Sequence, residues 1–199
     1  MIDPGRYWDE RYKNNRNSGA GSYGQLAEFK ADVINKFVKD YDIQTVAEFG
    51  CGDGNQLSLA NYPTYIGYDV SNYIVEQCKN IFKHDCTKNF YHISKYNPRI
   101  VSELTLSLDV IFHLVEDKVF EDYMTKLFES SYRYVIIYSS NNKHLKSKSL
   151  HVRHRTFTDW IDTSAWRQIG FIPNKYPFNK DYLSTTSFAD FYFYESIKK

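Results

Sequence analysis

The sequence predicts an α/β chain, a doubly wound and mostly parallel sheet of seven strands that ends in an antiparallel hairpin. Three observations carry this. From residue 25 onward, short β-rich runs alternate with stretches whose apolar residues recur every three or four positions, the signature of strand–helix–strand units. The last two strand-like runs, 171–178 and 188–194, have no helical pattern between them, which favours an antiparallel return. A glycine-rich turn follows the first strand, where open sheets bring their backbone against a ligand.

Each element has its own reason. Residues 1–24 are polar, and 14–22 read Asn-Asn-Arg-Asn-Ser-Gly-Ala-Gly-Ser, a flexible segment placed to act as a lid. Leu26, Phe29, Val33, Ile34 and Phe37 give one apolar face to a helix over 25–39. The first strand is expected at 44–49, a helix after Asn55, and the second strand at 64–69. Ser71 then reads as the N-cap of a helix through Val75, Cys78 and Phe82. Residues 84–89 form a loop before a third strand at 90–93 and a fourth at 104–108. A helix over 117–129 presents Val119, Phe120, Tyr123, Leu127 and Phe128, and the fifth strand is 134–138. A basic loop over 141–155 and a helix over 158–168 precede the terminal strands. The whole is read as one domain, with a lid and helix in 1–40 and the core in 41–199.

Composition narrows the function. A chain of 199 residues is long enough to bury roughly 70% of its unfolded surface unaided. Its 25 basic and 24 acidic residues leave a formal charge of +1, too weak a field to steer a nucleic acid, so any anion site must be local. Cys51, Cys78 and Cys86 form no CxxC pair and are odd in number, which fits a reducing compartment. No apolar signal core opens the sequence and no run is long enough to span a bilayer, so a cytoplasmic protein without a membrane partner is expected.

Residues 48–54 read Glu-Phe-Gly-Cys-Gly-Asp-Gly and follow the apolar pair Val46-Ala47. Gly50, Gly52 and Gly54 let the chain turn sharply out of a strand and approach a ligand without side chains intervening. Nineteen residues after Gly50, Asp69 closes the next apolar run, where a carboxylate accepts from both hydroxyls of a ribose. A dinucleotide fingerprint needs glycine at position 55, which is Asn, so a nicotinamide-binding protein is disfavoured. This pattern, with Glu48 two residues before the first glycine, resembles the class I S-adenosylmethionine-dependent methyltransferases over at least residues 44–140.

The resemblance implies a Rossmann-like fold and S-adenosylmethionine as cofactor. It places Glu48, Gly50, Cys51, Gly52, Gly54, Asn55, Asp69, Val70 and Leu108 around that cofactor. Ser94 takes the place where many relatives carry an adenine-binding Asp, an assignment that Lys95 and the earlier Asp85 leave open. The segment after the fourth strand, 105–117, resembles the fourth motif of the family, which puts Asp109 and His113 beside the reacting end. A neutral imidazole suits a general base for a hydroxyl acceptor, while the plainer reading of His113 is packing beside Phe112 and Leu114. Asp109 is open to three roles: orienting that imidazole, binding the acceptor, or capping a helix.

Tyr7, Trp8, Tyr12 and Tyr23 are candidates for covering a bound sulfonium, against the plainer reading of packing in a helix docked on the sheet, with Tyr23 counted among the acceptor-binding residues. Residues 151–155, His-Val-Arg-His-Arg, lie after the fifth strand. Arg153, His154 and Arg155 there are expected to hold a small anionic acceptor, against the plainer reading of a solvated basic loop. His151 and His154 have no acidic or cysteine partner close in sequence, so no metal is expected. Neither an Asn/Asp-Pro-Pro-aromatic motif nor a Pro-Cys nucleophile is present. A small polar acceptor is therefore favoured over nucleic acid.

The opening at 18–26, the 106–113 segment and the His-x-Arg-His-Arg loop are together similar to small methyltransferases of bacterial surface-polysaccharide pathways. That implies O-methylation of a sugar or phosphoramidate intermediate of capsule biosynthesis. N-methylation of another metabolite and a non-catalytic cofactor-binding module remain the alternatives.

Overall fold

The computed structural model describes residues 4–147 and 149–197. Seven strands form one sheet: β1 Thr45–Phe49, β2 Thr64–Asp69, β3 Lys88–His92, β4 Ser102–Leu108, β5 Ser131–Ser139, β6 Trp166–Ile172 and β7 Asp190–Ser196. Their order across the sheet is β3-β2-β1-β4-β5-β7-β6. Strands β1 to β5 are parallel, and β7 runs antiparallel to both β5 and β6. The expected doubly wound sheet with its antiparallel ending is present.

Parallel strands are covered on both faces, so residues of either parity along a central strand are buried. All seven residues of β4 are buried. Along β5 the alternation sorts the two faces, with Tyr134, Ile136 and Tyr138 turned to one apolar core and Val135 and Ile137 to the other. Helices α2 (Gly24–Asp40) and α3 (Asn72–Ile81) cover the first face through Ile34, Phe37, Val75 and Cys78. Helix α4 (Asp117–Glu129) covers the second through Phe120, Met124, Leu127 and Phe128. As expected, the hydroxyl of Ser71 caps α3 by accepting from the Ile74 N–H at 3.2 Å.

Three local expectations are corrected. The helix after Asn55 is only a 3-10 turn, Leu57–Leu59, with Gln56 and Leu57 already buried against the core. The helix over 158–168 is a 3-10 turn, Phe157–Trp160, followed by β6 from Trp166, since pairing with β7 satisfies that backbone instead. The polar N-terminal segment holds a helix, α1 (Pro4–Lys13), that docks across the carboxyl edge of the sheet.

That edge carries the geometry that matters. From β3 at one margin the chain returns to β4 beside β1, so connections leave β1 and β4 in opposite directions and open a crevice above their carboxyl ends. Residues 48–54, Asp69 and 108–113 all emerge there.

Candidate active site

The crevice holds a cavity lined by Glu48, Gly50, Cys51, Gly52, Asp69, Val70, Leu108 and Asp109. It is roofed by Trp8 and Tyr12 of α1 and by Ser18 and Ser22 behind it. Eight of the residues expected to surround the cofactor or the reacting centre therefore converge. Gly50 and Gly52 take φ of +88° and +57°, a left-handed backbone that an L side chain adopts only with strain. The N–H groups of Gly50 and Cys51 both donate to the Tyr68 carbonyl, which pins the turn to β2.

Asp69 accepts one backbone N–H on each oxygen, Gly52 at 3.0 Å and Ser71 at 2.9 Å. Each oxygen keeps lone-pair capacity for a further donor such as a ribose hydroxyl. Burial raises its pKa, and the N–H bonds from Ser71 and Gly52 oppose the rise. Glu48 is deeper, and burial pushes it up to about 7, while the Tyr65 hydroxyl, donating at 2.7 Å, and the Lys30 ammonium pull it down.

Lys30 is the residue that sequence reasoning missed. It is 1% exposed, reaches the cavity from α2, pairs with Asp109 at 2.7 Å, and lies 5.3 Å over the Tyr138 ring. Its signal was a lysine inside the apolar stripe of that helix, four residues after Leu26 and four before Ile34. Asp109 is thereby held by an ammonium, in a left-handed conformation with φ of +60°. No described hydrogen bond joins it to His113, so the orienting role for Asp109 is not how the site is built.

The orientation of His113 comes from elsewhere. Its Nδ1 lies 3.1 Å from the His151 carbonyl, which can only accept, so Nδ1 carries the proton and Nε2 presents a lone pair. Burial drives its pKa down to about 4, against the hydrogen bond to the His151 carbonyl, which raises it. The ring sits beneath α1, with Trp8 edge-on at 5.1 Å and the His151 ring stacked at 5.6 Å. Tyr7 covers His151 in turn at 4.6 Å. His113 is thus next to the cavity but roofed by α1.

Seven other residues expected at the site lie outside the cavity lining. Ser94 turns to the His92 Nδ1 at 2.8 Å and does not line the neighbouring cleft, where Val70, Asn72, His92, Ile93, Val119 and Tyr123 stand instead. Asn55 donates to the Ser22 carbonyl and Tyr23 to Asp53, so both fasten the N-terminal segment and neither lines the cavity. Gly54 serves packing: a Cβ there would meet the Phe82 ring at 2.8 Å. The guanidinium groups of Arg153 and Arg155 both pair with Asp117, and Arg155 also donates to the carbonyls of Leu114 and Val115. Neither reaches the cavity. His154 is buried with its Nδ1 2.7 Å from the Ser140 hydroxyl.

The lid segment is fastened at several points. Asp9 accepts from the Ser71 hydroxyl at 2.7 Å and the Tyr73 N–H at 3.2 Å, and its ion pair with Lys13 and these bonds lower it to about 2. Ser18 donates its N–H to Asp53, accepts the Asp53 N–H on its hydroxyl, and contacts the Tyr12 hydroxyl. Among the described residues, no cluster of His, Cys, Asp and Glu has the arrangement of a metal site.

No protein-family model and no curated protein matches the sequence. Solved structures do. The N-methyltransferase NodS from Bradyrhizobium japonicum WM9, in complex with S-adenosyl-L-homocysteine, superposes with a TM-score of 0.77 at 12% identity, over 98% of this chain and 100% of that one. Magnesium protoporphyrin IX methyltransferase (ChlM) from Synechocystis PCC 6803, with bound SAM, gives 0.62 at 15% identity, over 100% and 99%. The small RNA methyltransferase HEN1 gives 0.63 at 16% identity, over 89% of this chain and 26% of that one. Across that spread of neighbours, what the chain shares with them is the Rossmann-like fold of the S-adenosylmethionine-dependent methyltransferases.

Proposed function

We propose that this protein transfers a methyl group from S-adenosylmethionine to a hydroxyl of a small polar acceptor. One observation carries the reading: the glycine turn at 50–52, Glu48 and Asp69 converge on one cavity at the sheet's switch point, beneath Trp8 and Tyr12 of α1. Asp69 receives the ribose hydroxyls, and ionised Glu48 receives the ammonium of the methionine portion. The sulfonium lies toward Leu108 and Asp109, whose carboxylate Lys30 already balances.

Transfer itself asks for in-line placement and exclusion of water. The acceptor oxygen forms a bond to the methyl carbon as the carbon–sulfur bond breaks, leaving neutral S-adenosylhomocysteine. The hydroxyl proton passes to Nε2 of His113, the nitrogen left free by the His151 carbonyl. Acceptor access to that nitrogen requires Trp8 and Tyr7 to lift with α1 and close again over the bound pair. A sugar-like acceptor of a surface-polysaccharide pathway is the finer form of this proposal, supported by the sequence resemblance alone. With a chain charge of +1, a small molecule suits the site better than nucleic acid.

Calorimetric titration with S-adenosylhomocysteine tests the cofactor. Asp69→Ala is expected to cost about 1.5–3 kcal/mol, roughly ten- to a hundred-fold in Kd. Binding of NAD in place of S-adenosylhomocysteine by the unaltered protein would sink the reading.

A further inference from the structure

The methyl-transfer reading leaves one built feature without a task. Residues 141–158 contain three lysines, two arginines and three histidines and no acid, a formal +5 in a chain whose total is +1. The remainder of the chain is therefore −4, so the positive charge is concentrated here. The loop lines the outer wall of a cleft of about 860 Å³ whose inner wall is Phe120 of α4 and Trp160.

The arginines make the wall and the lysines are left to face into the cleft. Arg155 lies 4.7 Å over the Phe120 ring with its guanidinium on Asp117 and two carbonyls, and Arg153 shares Asp117. Among the described residues, Lys143 and Lys146 pair with no carboxylate, although both line the cleft beside His144. Asp159 is the one acid in the lining.

The position is as informative as the charge. The chain at 151–153 forms the partition between this cleft and the candidate base: the His151 carbonyl accepts from His113, and the Arg153 N–H donates to the Phe112 carbonyl at 2.8 Å. Residues 151–153 therefore border the cleft on one side and the candidate base on the other.

Resting on the methyl-transfer reading, we infer that this cleft is the subsite for a phosphorylated end of the acceptor, held by Lys143, Lys146 and His144. Two flexible ammonium groups suit the several charged oxygens of phosphoryl groups as point-charge partners. The same cleft is what a neutral sugar has no use for.

The test titrates the intact protein with inorganic pyrophosphate, and with glucose 1-phosphate against glucose, in the presence of S-adenosylhomocysteine at low ionic strength. Expected are one-to-one pyrophosphate binding, a change in Trp160 fluorescence on binding, and at least tenfold preference for glucose 1-phosphate over glucose. Lys143→Ala with Lys146→Ala should abolish that preference and weaken pyrophosphate at least tenfold, while the Arg pair at the same positions retains both. S-adenosylhomocysteine affinity should not change in either variant, which also reports an intact fold. Wild-type protein that ignores pyrophosphate overturns the inference, as does a double Ala variant that binds it equally well. Sulfate binding as tightly as pyrophosphate would likewise reduce the cleft to a general positive field. Loss of S-adenosylhomocysteine binding by the wild type would instead count against the cofactor reading, and is read separately.

Discussion

At the residue scale, two side chains set the pH behaviour. Glu48 is raised to about 7 chiefly by burial, and under the proposed function it must be ionised to meet the cofactor's ammonium. Below pH 7 a proton must leave on binding, so affinity for S-adenosylhomocysteine should fall by up to tenfold per pH unit between about 7 and 5. Calorimetry from pH 8 to 5 reads this slope, and Glu48→Gln should flatten it. A wild-type profile already flat would show that Glu48 does not meet the ammonium. The empty protein responds in the opposite sense: a folded pKa above the ordinary 4.5 favours the fold fully below 4.5, and that contribution is lost as pH rises through 7. The difference is about 3 kcal/mol. His113 differs, since burial keeps it neutral at pH 7 and its tautomer is fixed. His113→Gln should lower turnover about a hundredfold and leave cofactor affinity alone. Unchanged turnover would return the ring to packing under Trp8.

At the scale of elements, α1 and the loop behind it decide whether the cavity is open. The loop lies directly on the glycine turn: a Cβ on Gly52 would sit 2.4 Å from the Ser18 hydroxyl oxygen and 3.4 Å from that of Tyr12. Gly52→Ala therefore adds backbone strain of about 1–2 kcal/mol at φ +57° and pushes Ser18 away from Asp53. The expected result is at least tenfold weaker S-adenosylhomocysteine binding together with faster amide exchange over residues 4–19. A variant with wild-type affinity and exchange would mean that the turn and the lid are not in register as described. The other element at issue, the stretch 158–168, carries Trp160, Ile161, Ala165 and Trp166 at helix-like spacing, yet Trp166 pairs with Ser196 of β7. Its apolar residues cover α4 and the sheet margin, a demand that spacing alone does not distinguish from a helix.

For the whole molecule, the cavity gathers parts distant in sequence: α1, α2, the β1 turn, Asp69 and the end of β4. A ligand binding only the assembled form stabilises it by about 2.7 kcal/mol at a hundred times its Kd. For a chain of this length that converts to a rise in Tm of roughly 5–10 °C. Thermal unfolding with S-adenosylhomocysteine measures it, and an equal rise with NAD would contradict the cofactor assignment. No helix among the described residues is long and apolar enough to cross a membrane.

Sequence by itself determined the sheet and half of the site. A central strand buried on both faces leaves an unbroken apolar run such as 134–138 of β5, and a backbone that must turn tightly leaves glycines at fixed spacing. Both are local demands, written in consecutive residues. Tertiary structure alone decided the rest. Lys30 meets Asp109 across 79 residues, Asp9 meets Ser71 across 62, and Tyr7 meets His151 across 144. For helix α1 the aromatic residues allowed a docked helix, but the partners it docks on could not be read from the sequence. Likewise Arg153 and Arg155 looked free to grip a ligand until α4 brought Asp117 against them. Which charges neutralise one another depends on how the sheet's carboxyl edge gathers its loops, and no spacing along the chain encodes that distance.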